Sequence, residues 1–266
     1  MIDDPAGRID YAESGNGPTV VLVPGSCSTG AAWRAMMAQW GDRFRYVTTS
    51  LLGYGCTAER RTADDASIVH EIDALDAVIR RAGGPVHLVG HSYGGMVALA
   101  TALRGRVEIA SLTLIETPAA MLLHERGEDA HYASFRRMTD TYFSAFERGE
   151  PAAIAEMIDF YGGAGTFAAW PARLRDYAIE TTHVNILDWS SAFGNPLSPS
   201  ILAAIDVPTL VLWGGASPAA VQRANELLAD CIKGSARMTV AGAAHFMIAT
   251  HVAEIAPVIA RHIENA

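Results

Sequence analysis

Val86-His87-Leu88-Val89-Gly90-His91-Ser92-Tyr93-Gly94-Gly95-Met96-Val97-Ala98-Leu99 begins as a short apolar run with the character of a buried strand. It ends as a helix with Met96, Val97, Leu99 and Leu103 on its apolar face. Between the two lies Gly90-x-Ser92-x-Gly94. A strand that becomes a helix within two residues forces the central residue into a strained backbone. Any side chain larger than hydrogen at 90 or 94 would collide with the neighbouring strand and helix. The strain lifts the Ser92 hydroxyl clear of the sheet, and the Tyr93 amide opens the helix where the dipole favours an anion. A GxSxG alone means little; one set between a strand and a helix decides the fold.

That setting is a nucleophile elbow, and Gly90-His91-Ser92-Tyr93-Gly94-Gly95 resembles the α/β-hydrolase superfamily. The resemblance runs from about Gly17 to about His262 and is loose across the middle third. It implies an α/β fold: a mostly parallel central sheet with helices on both faces and an inserted helical cap.

The flanking sequence is compatible with this. Arg8-Ile9-Asp10-Tyr11-Ala12-Glu13 alternates as an edge strand does, Ser14–Pro18 is a turn, and Thr19–Val23 is a β-branched run for a buried strand. Pro24-Gly25-Ser26 follows where many superfamily members have His-Gly, and a helix with Trp33, Met36, Met37 and Trp40 on one side comes next. After the Phe44–Thr48 strand, Leu52–Thr57 resembles the family's Gly-aromatic-Gly loop. A helix from about Ser67 places Ile68, Ile72, Leu75 and Ile79 inward, with Glu71, Asp73, Asp76 and Arg80 outward. Strand Leu112–Ile115 ends at Glu116-Thr117-Pro118, and the strand–helix alternation stops. The following stretch is helical, with Tyr132, Phe135, Tyr142, Phe143, Phe146, Trp170 and Trp189 read mainly as cap packing. The alternation resumes with strand Val207–Gly215, a helix opened by Ser217-Pro218, strand Arg237–Val240 and a final helix over Val252–Ile263. Residues 1–118 and 201–266 are the expected core, and 119–200 the expected cap.

Composition narrows the partners. The 266 residues are half hydrophobic, enough for a sizeable core, and the net charge of −9 with a pI near 5.4 counts against nucleic acid or an anionic membrane. No run of about 18 apolar residues is present to span a bilayer. Met1-Ile2-Asp3-Asp4-Pro5 has acids where a signal peptide is basic, and Cys27, Cys56 and Cys231 have no metal spacing and suit a reducing compartment. A cytoplasmic protein is expected. Neither GxGxxG nor HExxH occurs, since His70-Glu71 meets Ala74 where a second histidine would stand.

Serine is a poor nucleophile at neutral pH and needs a base. His245, in the small-residue loop after the last strand, stands in the superfamily's order of Ser, acid, His. His87 lies inside a strand, His91 points away from an exposed Ser92, His70, His251 and His262 fall on helices, and His124, His131 and His183 belong to the insertion. An Asp is usual soon after the Val207 strand, but Gly214-Gly215-Ala216-Ser217-Pro218 has none, and Ser217-Pro218 reads as a helix N-cap and N1 pair. Asp206 precedes its strand and lies at the wrong edge. Glu116, at the end of the preceding strand, is where some superfamily members place the triad acid.

The resemblance also implies an oxyanion hole built from the Ser26 and Tyr93 backbone N–H groups. Together these point to a serine hydrolase that cleaves a small, apolar carboxylic ester or lactone, with no metal or organic cofactor required. Other chemistry on the same triad (carbon–carbon hydrolysis, perhydrolysis, a lyase, acyl transfer) and a non-catalytic binding protein are the alternatives. No oligomeric state follows from the sequence.

Overall fold

In the computed structural model, which describes residues 1–266, the chain opens with an antiparallel ribbon of β1 (Ile2–Asp4) and β2 (Gly7–Ile9). It then builds a seven-stranded sheet from β3 (Ala12–Gly15), β4 (Thr19–Val23), β5 (Arg45–Thr48), β6 (Val86–His91), β7 (Ile109–Ile115), β8 (Thr209–Gly214) and β9 (Ala236–Val240). The order across the sheet is β3-β5-β4-β6-β7-β8-β9, with β3 antiparallel and the rest parallel. Strands β4, β6 and β8 are buried at every residue because helices cover both faces, which is why they read as apolar runs rather than alternations.

The expected edge strand over Arg8–Glu13 is broken instead. Asp10 spends its hydrogen bonds on loops: its N–H donates to Thr57 Oγ1 (3.0 Å), its carbonyl accepts from Thr49 Oγ1 (2.7 Å), and its carboxylate accepts from Ser50 Oγ (2.8 Å) and the Cys56 N–H (3.0 Å). Ser14 and Gly15, expected in a turn, continue β3 instead.

The helices are α1 (Arg34–Trp40), α2 (Val69–Ala82), α3 (Tyr93–Arg104), α4 (Ala120–Glu125), α5 (Asp129–Glu147), α6 (Ala155–Gly162), α7 (Thr166–Ala169), α8 (Ala172–Glu180), α9 (Thr182–Gly194), α10 (Pro199–Leu202), α11 (Ala219–Cys231), α12 (Met247–Thr250) and α13 (Val252–Glu264). On one face Trp33, Met36 and Trp40 join Ile255, Ile259 and Ile263 over Val20, Leu22, Val89 and Leu212. On the other, α2, α3 and α11 cover Val21, Val23, Leu88, Leu114 and Val211. Successive strand residues thus feed opposite cores.

Helix α2 buries Ile68, Ile72, Leu75 and Ile79 as expected, but Glu71 and Asp76 are buried too. Glu71 accepts from the Leu52 N–H (3.3 Å) and faces Arg61 (3.4 Å), and Asp76 pairs with Arg80 (3.3 Å). Periodicity sorts side chains by angle around the helix; it cannot register a cation arriving from a loop. Helices α4–α10 fill the interval between β7 and β8, with Phe135, Tyr142 and Trp189 buried and Phe146 exposed. No helix is long and apolar enough to cross a membrane.

Candidate active site

Ser92 sits at φ 56°, ψ −129°, outside the regions an L-residue prefers, and its N–H donates to the Ile115 carbonyl (2.9 Å). Such a conformation costs of order 1–3 kcal/mol and persists only where neighbours hold it. The glycines around it permit the bend. A Cβ on Gly90 would lie 2.5 Å from the Gly94 carbonyl oxygen, one on Gly94 2.2 Å from that of Pro24, and one on Gly25 2.9 Å from Ser92 Cβ.

His245, on the loop between β9 and α12, is 4 % exposed and meets Ser92 Oγ through Nε2 at 2.9 Å. Its Nδ1 lies 2.7 Å from Glu116 Oε2. Glu116 is fully buried at φ 45°, just past the end of β7. Its other oxygen accepts the Gly214 N–H (2.7 Å) and the Ser217 hydroxyl. These partners leave the carboxylate little freedom to turn. The three side chains expected to act together are therefore in one hydrogen-bonded line, contributed from the carboxyl ends of β6, β7 and β9.

Ser217 does not cap a helix as its sequence suggests. Pro218 occupies the cap position of α11 with no side-chain bond, and the Ser217 hydroxyl serves Glu116. Asp206 is exposed in the loop before β8, at the opposite edge. His87 is paired with Ser111 (2.9 Å) and His70 with Asp65 (2.8 Å). His91 contacts His245 directly: its ring is 4.7 Å from that of His245, and its Nε2–H donates to the His245 carbonyl (2.9 Å). Burial, reinforced by His245, pulls the His91 pKa down to about 3, so this ring stays neutral. Tyr161 of α6 covers His245 at 4.1 Å, and Phe246 meets its edge at 5.3 Å.

The loop after β4 faces Ser92. The Ser26 N–H has no acceptor within the protein, and the Tyr93 N–H belongs to the first turn of α3, where no intrahelical partner exists. The Ser26 hydroxyl donates to Asp188 Oδ2 of α9 (2.5 Å), and the next residue, Cys27, holds φ 56°. Burial pushes the Cys27 thiol up to about 12, so it stays protonated.

Asp188 belongs to a buried cluster that sequence reasoning missed. It also accepts from Tyr54 OH (2.7 Å) and from Arg61 (2.8 Å). The same guanidinium, fully buried, pairs with Glu59 (2.8 Å). Burial raises the Asp188 carboxyl above the usual carboxylate range, opposed by Arg61, and pushes Glu71 beside them up to about 8. Nothing in the sequence signals this cluster, because Arg61 and Asp188 are 127 residues apart and on different kinds of element.

A cavity of about 940 Å³ opens over Ser92 and His245. Its walls include Met157, Ile158, Trp170, Leu174 and Trp189 from the helical segment. Asn185, one turn before Asp188 on α9, also lines it, is 2 % exposed, and has an amide oxygen without a partner. No group of three or more His, Cys, Asp or Glu side chains is placed to hold a metal ion.

The chain is similar to several known proteins. It is 28 % identical over 132 residues to a cis-3-alkyl-4-alkyloxetan-2-one decarboxylase of Xanthomonas campestris pv. campestris, covering 46 % of this chain and 44 % of that protein. It is 29 % identical over 154 residues to a 2-hydroxymuconate semialdehyde hydrolase of Pseudomonas sp., covering 53 % and 52 %. The chain thus spans about half the length of these curated relatives. A thermophilic esterase from Thermogutta terrifontis superposes with a TM-score of 0.74 at 24 % identity, over 97 % of this chain and 93 % of that one, a likeness of fold. The profile of the alpha/beta hydrolase family matches residues 20–258, from within β4 to within α13, and so takes in the elbow, the strand ends and the histidine loop alike. This chain belongs to the alpha/beta hydrolase family.

Proposed function

We propose that this chain is a serine hydrolase that cleaves a small carboxylic ester or lactone through an acyl-enzyme on Ser92. The single observation that carries the proposal is the line from Ser92 Oγ to His245 Nε2 (2.9 Å) and from His245 Nδ1 to Glu116 Oε2 (2.7 Å). His245 takes the hydroxyl proton as Ser92 Oγ bonds to the carbonyl carbon. Glu116 holds the ring with its proton on Nδ1 and stabilises the imidazolium. The Ser26 and Tyr93 N–H groups receive the negative oxygen, where one donor is commonly worth about 10²–10³ in rate. The imidazolium passes its proton to the departing alkoxide, and the ester C–O bond breaks. A water, deprotonated by His245, then attacks the acyl carbon; the bond from that carbon to Ser92 Oγ breaks, the imidazolium returns its proton to Oγ, and the carboxylic acid departs.

Helices α4–α10 act as the cap. Their apolar walls favour an apolar acyl or alcohol group, since burying such surface stabilises the complex by about 25 cal/mol per Å². The alternative of carbon–carbon bond hydrolysis is favoured by the likeness to the 2-hydroxymuconate semialdehyde hydrolase. A fluorophosphonate probe tests the nucleophile: it labels the wild type and not Ser92→Ala. A panel of p-nitrophenyl esters, lactones and vinylogous diketones then separates the two reactions. Failure of the wild type to take the probe overturns the serine mechanism, and turnover confined to the diketones overturns the ester reading.

A further inference from the structure

Asp188 stands on α9 in the helical segment, yet its carboxylate reaches across the cavity floor to the loop after β4. We propose that Asp188 is a positioning residue for acyl transfer: by gripping the Ser26 hydroxyl it aims the Ser26 N–H, so that the helical segment sets the oxyanion hole. The inference rests on the serine-hydrolase function proposed above and adds to it a residue outside the core.

Three features support it. The carboxylate is held from behind as well as in front, taking Tyr54 OH (2.7 Å) and Ser26 Oγ (2.5 Å) on Oδ2 and Arg61 (2.8 Å) on Oδ1. Arg61 and Tyr54 are themselves buried, so Asp188 has a fixed place from which to hold a loop. That loop needs holding. Cys27 adopts a left-handed φ of 56° that a non-glycine residue leaves unless neighbours constrain it, and Gly25 before it has no side chain to anchor. Ser26, between them, is tied to the carboxylate, while Ser28 Oγ folds back onto the Gly25 carbonyl (2.7 Å).

The third feature is the direction of the hydrogen bond. A serine hydroxyl whose proton goes to a carboxylate has none to give to a developing oxyanion, which leaves the N–H as the donor that Ser26 can offer there. The hydroxyl's part is orientation. Arg61 offsets the negative charge that a carboxylate would otherwise bring close to the oxyanion.

Asp188→Ala, Ser26→Ala and the double variant, assayed with p-nitrophenyl acetate, test this. Ser26→Ala keeps the N–H and the Arg61–Asp188 pair and removes only the link. Each single variant is expected to lower kcat by about 10- to 100-fold, as misplacing a catalytic donor does, with KM within about threefold of wild type. The double is expected to be no slower than the worse single, because both cut one connection. Losses that multiply, a loss confined to KM, or Ser26→Ala with kcat within about threefold of wild type overturns the proposal. Should Asp188→Ala fail to fold, Ser26→Ala decides alone. Failure of fluorophosphonate to label the wild type overturns the serine mechanism and this inference together; labelled wild type with an unimpaired Ser26→Ala overturns only this inference.

Discussion

The His91 ring is hydrogen-bonded to the His245 backbone carbonyl at 2.9 Å, so one histidine fixes the loop that carries the other. The bond needs a proton on His91 Nε2, and burial keeps the second nitrogen unprotonated, with the pKa drawn down from 6.5 to about 3. A depressed folded-state pKa gives stability that is present above the unfolded value and lost as pH falls through the folded one. Between pH 6.5 and about 3 the unfolded chain takes up a proton that the folded chain refuses, which costs at most about 1.4 kcal/mol per pH unit. His91→Gln is expected to flatten that part of the stability–pH curve in urea denaturation. An unchanged slope would show that His91 titrates freely in the folded protein.

Glu116→Gln puts an amide where His245 Nδ1 needs an acceptor. A triad carboxylate lost in this way costs about 10⁴ in kcat, and that is the expected fall for hydrolysis of a p-nitrophenyl ester. Ser217→Ala removes one partner of the same carboxylate and is expected to cost only about 2- to 10-fold, the net worth of one hydrogen bond. Near-full activity in Glu116→Gln would remove Glu116 from the proposed triad.

The bend at Ser92 makes a prediction about stability that is independent of chemistry. A methyl on Gly94 would sit 2.2 Å from the Pro24 carbonyl oxygen, backbone that cannot move without parting β4 from β6. Gly94→Ala is expected to lose about 3 kcal/mol or more, a drop of roughly 6–12 °C in Tm for a chain of this size. Gly194→Ala, where a Cβ meets nothing within 4 Å, is the control and is expected to stay within about 2 °C. Equal melting of the two variants would mean that the elbow is less crowded than described.

Arg61→Leu strands Asp188 and Glu59 without their cation. Removing one side of a buried ion pair costs about 3–5 kcal/mol, and thermal unfolding at pH 8 is expected to record it. At pH 5 the loss is expected to be smaller, because the raised Asp188 carboxyl is readily protonated once Arg61 is gone. A loss that does not change with pH would point to lost packing instead of lost charge.

Much of this arrangement was legible in the sequence, and the reason is locality. The elbow and the buried runs of β4, β6 and β8 are each written in a few consecutive residues whose backbone or burial demands are specific. Glu116 stands where the superfamily resemblance allows a triad acid once the usual position is empty, and Ser217 in that empty position donates to the glutamate. What the sequence hid is held together by contacts between distant residues. Asp10 looks like one more alternating residue until four loop groups converge on it, and Glu71 looks solvent-facing until Arg61 arrives. Asp188 carries no local mark at all on an aromatic-rich helix.

The helical segment leaves the sheet after β7 and returns at β8, and those strands are paired neighbours, so its two ends meet the core side by side. Topologically it is one long loop that could be exchanged for a foreign one without rethreading any strand. The hydrogen bond from Ser26 to Asp188 attaches a condition to such a transplant. A chimera whose new segment carries no acid opposite residue 26 would keep Ser92 and His245 in register but leave residue 26 without its tether, and grafting that one acid back would be the repair to try.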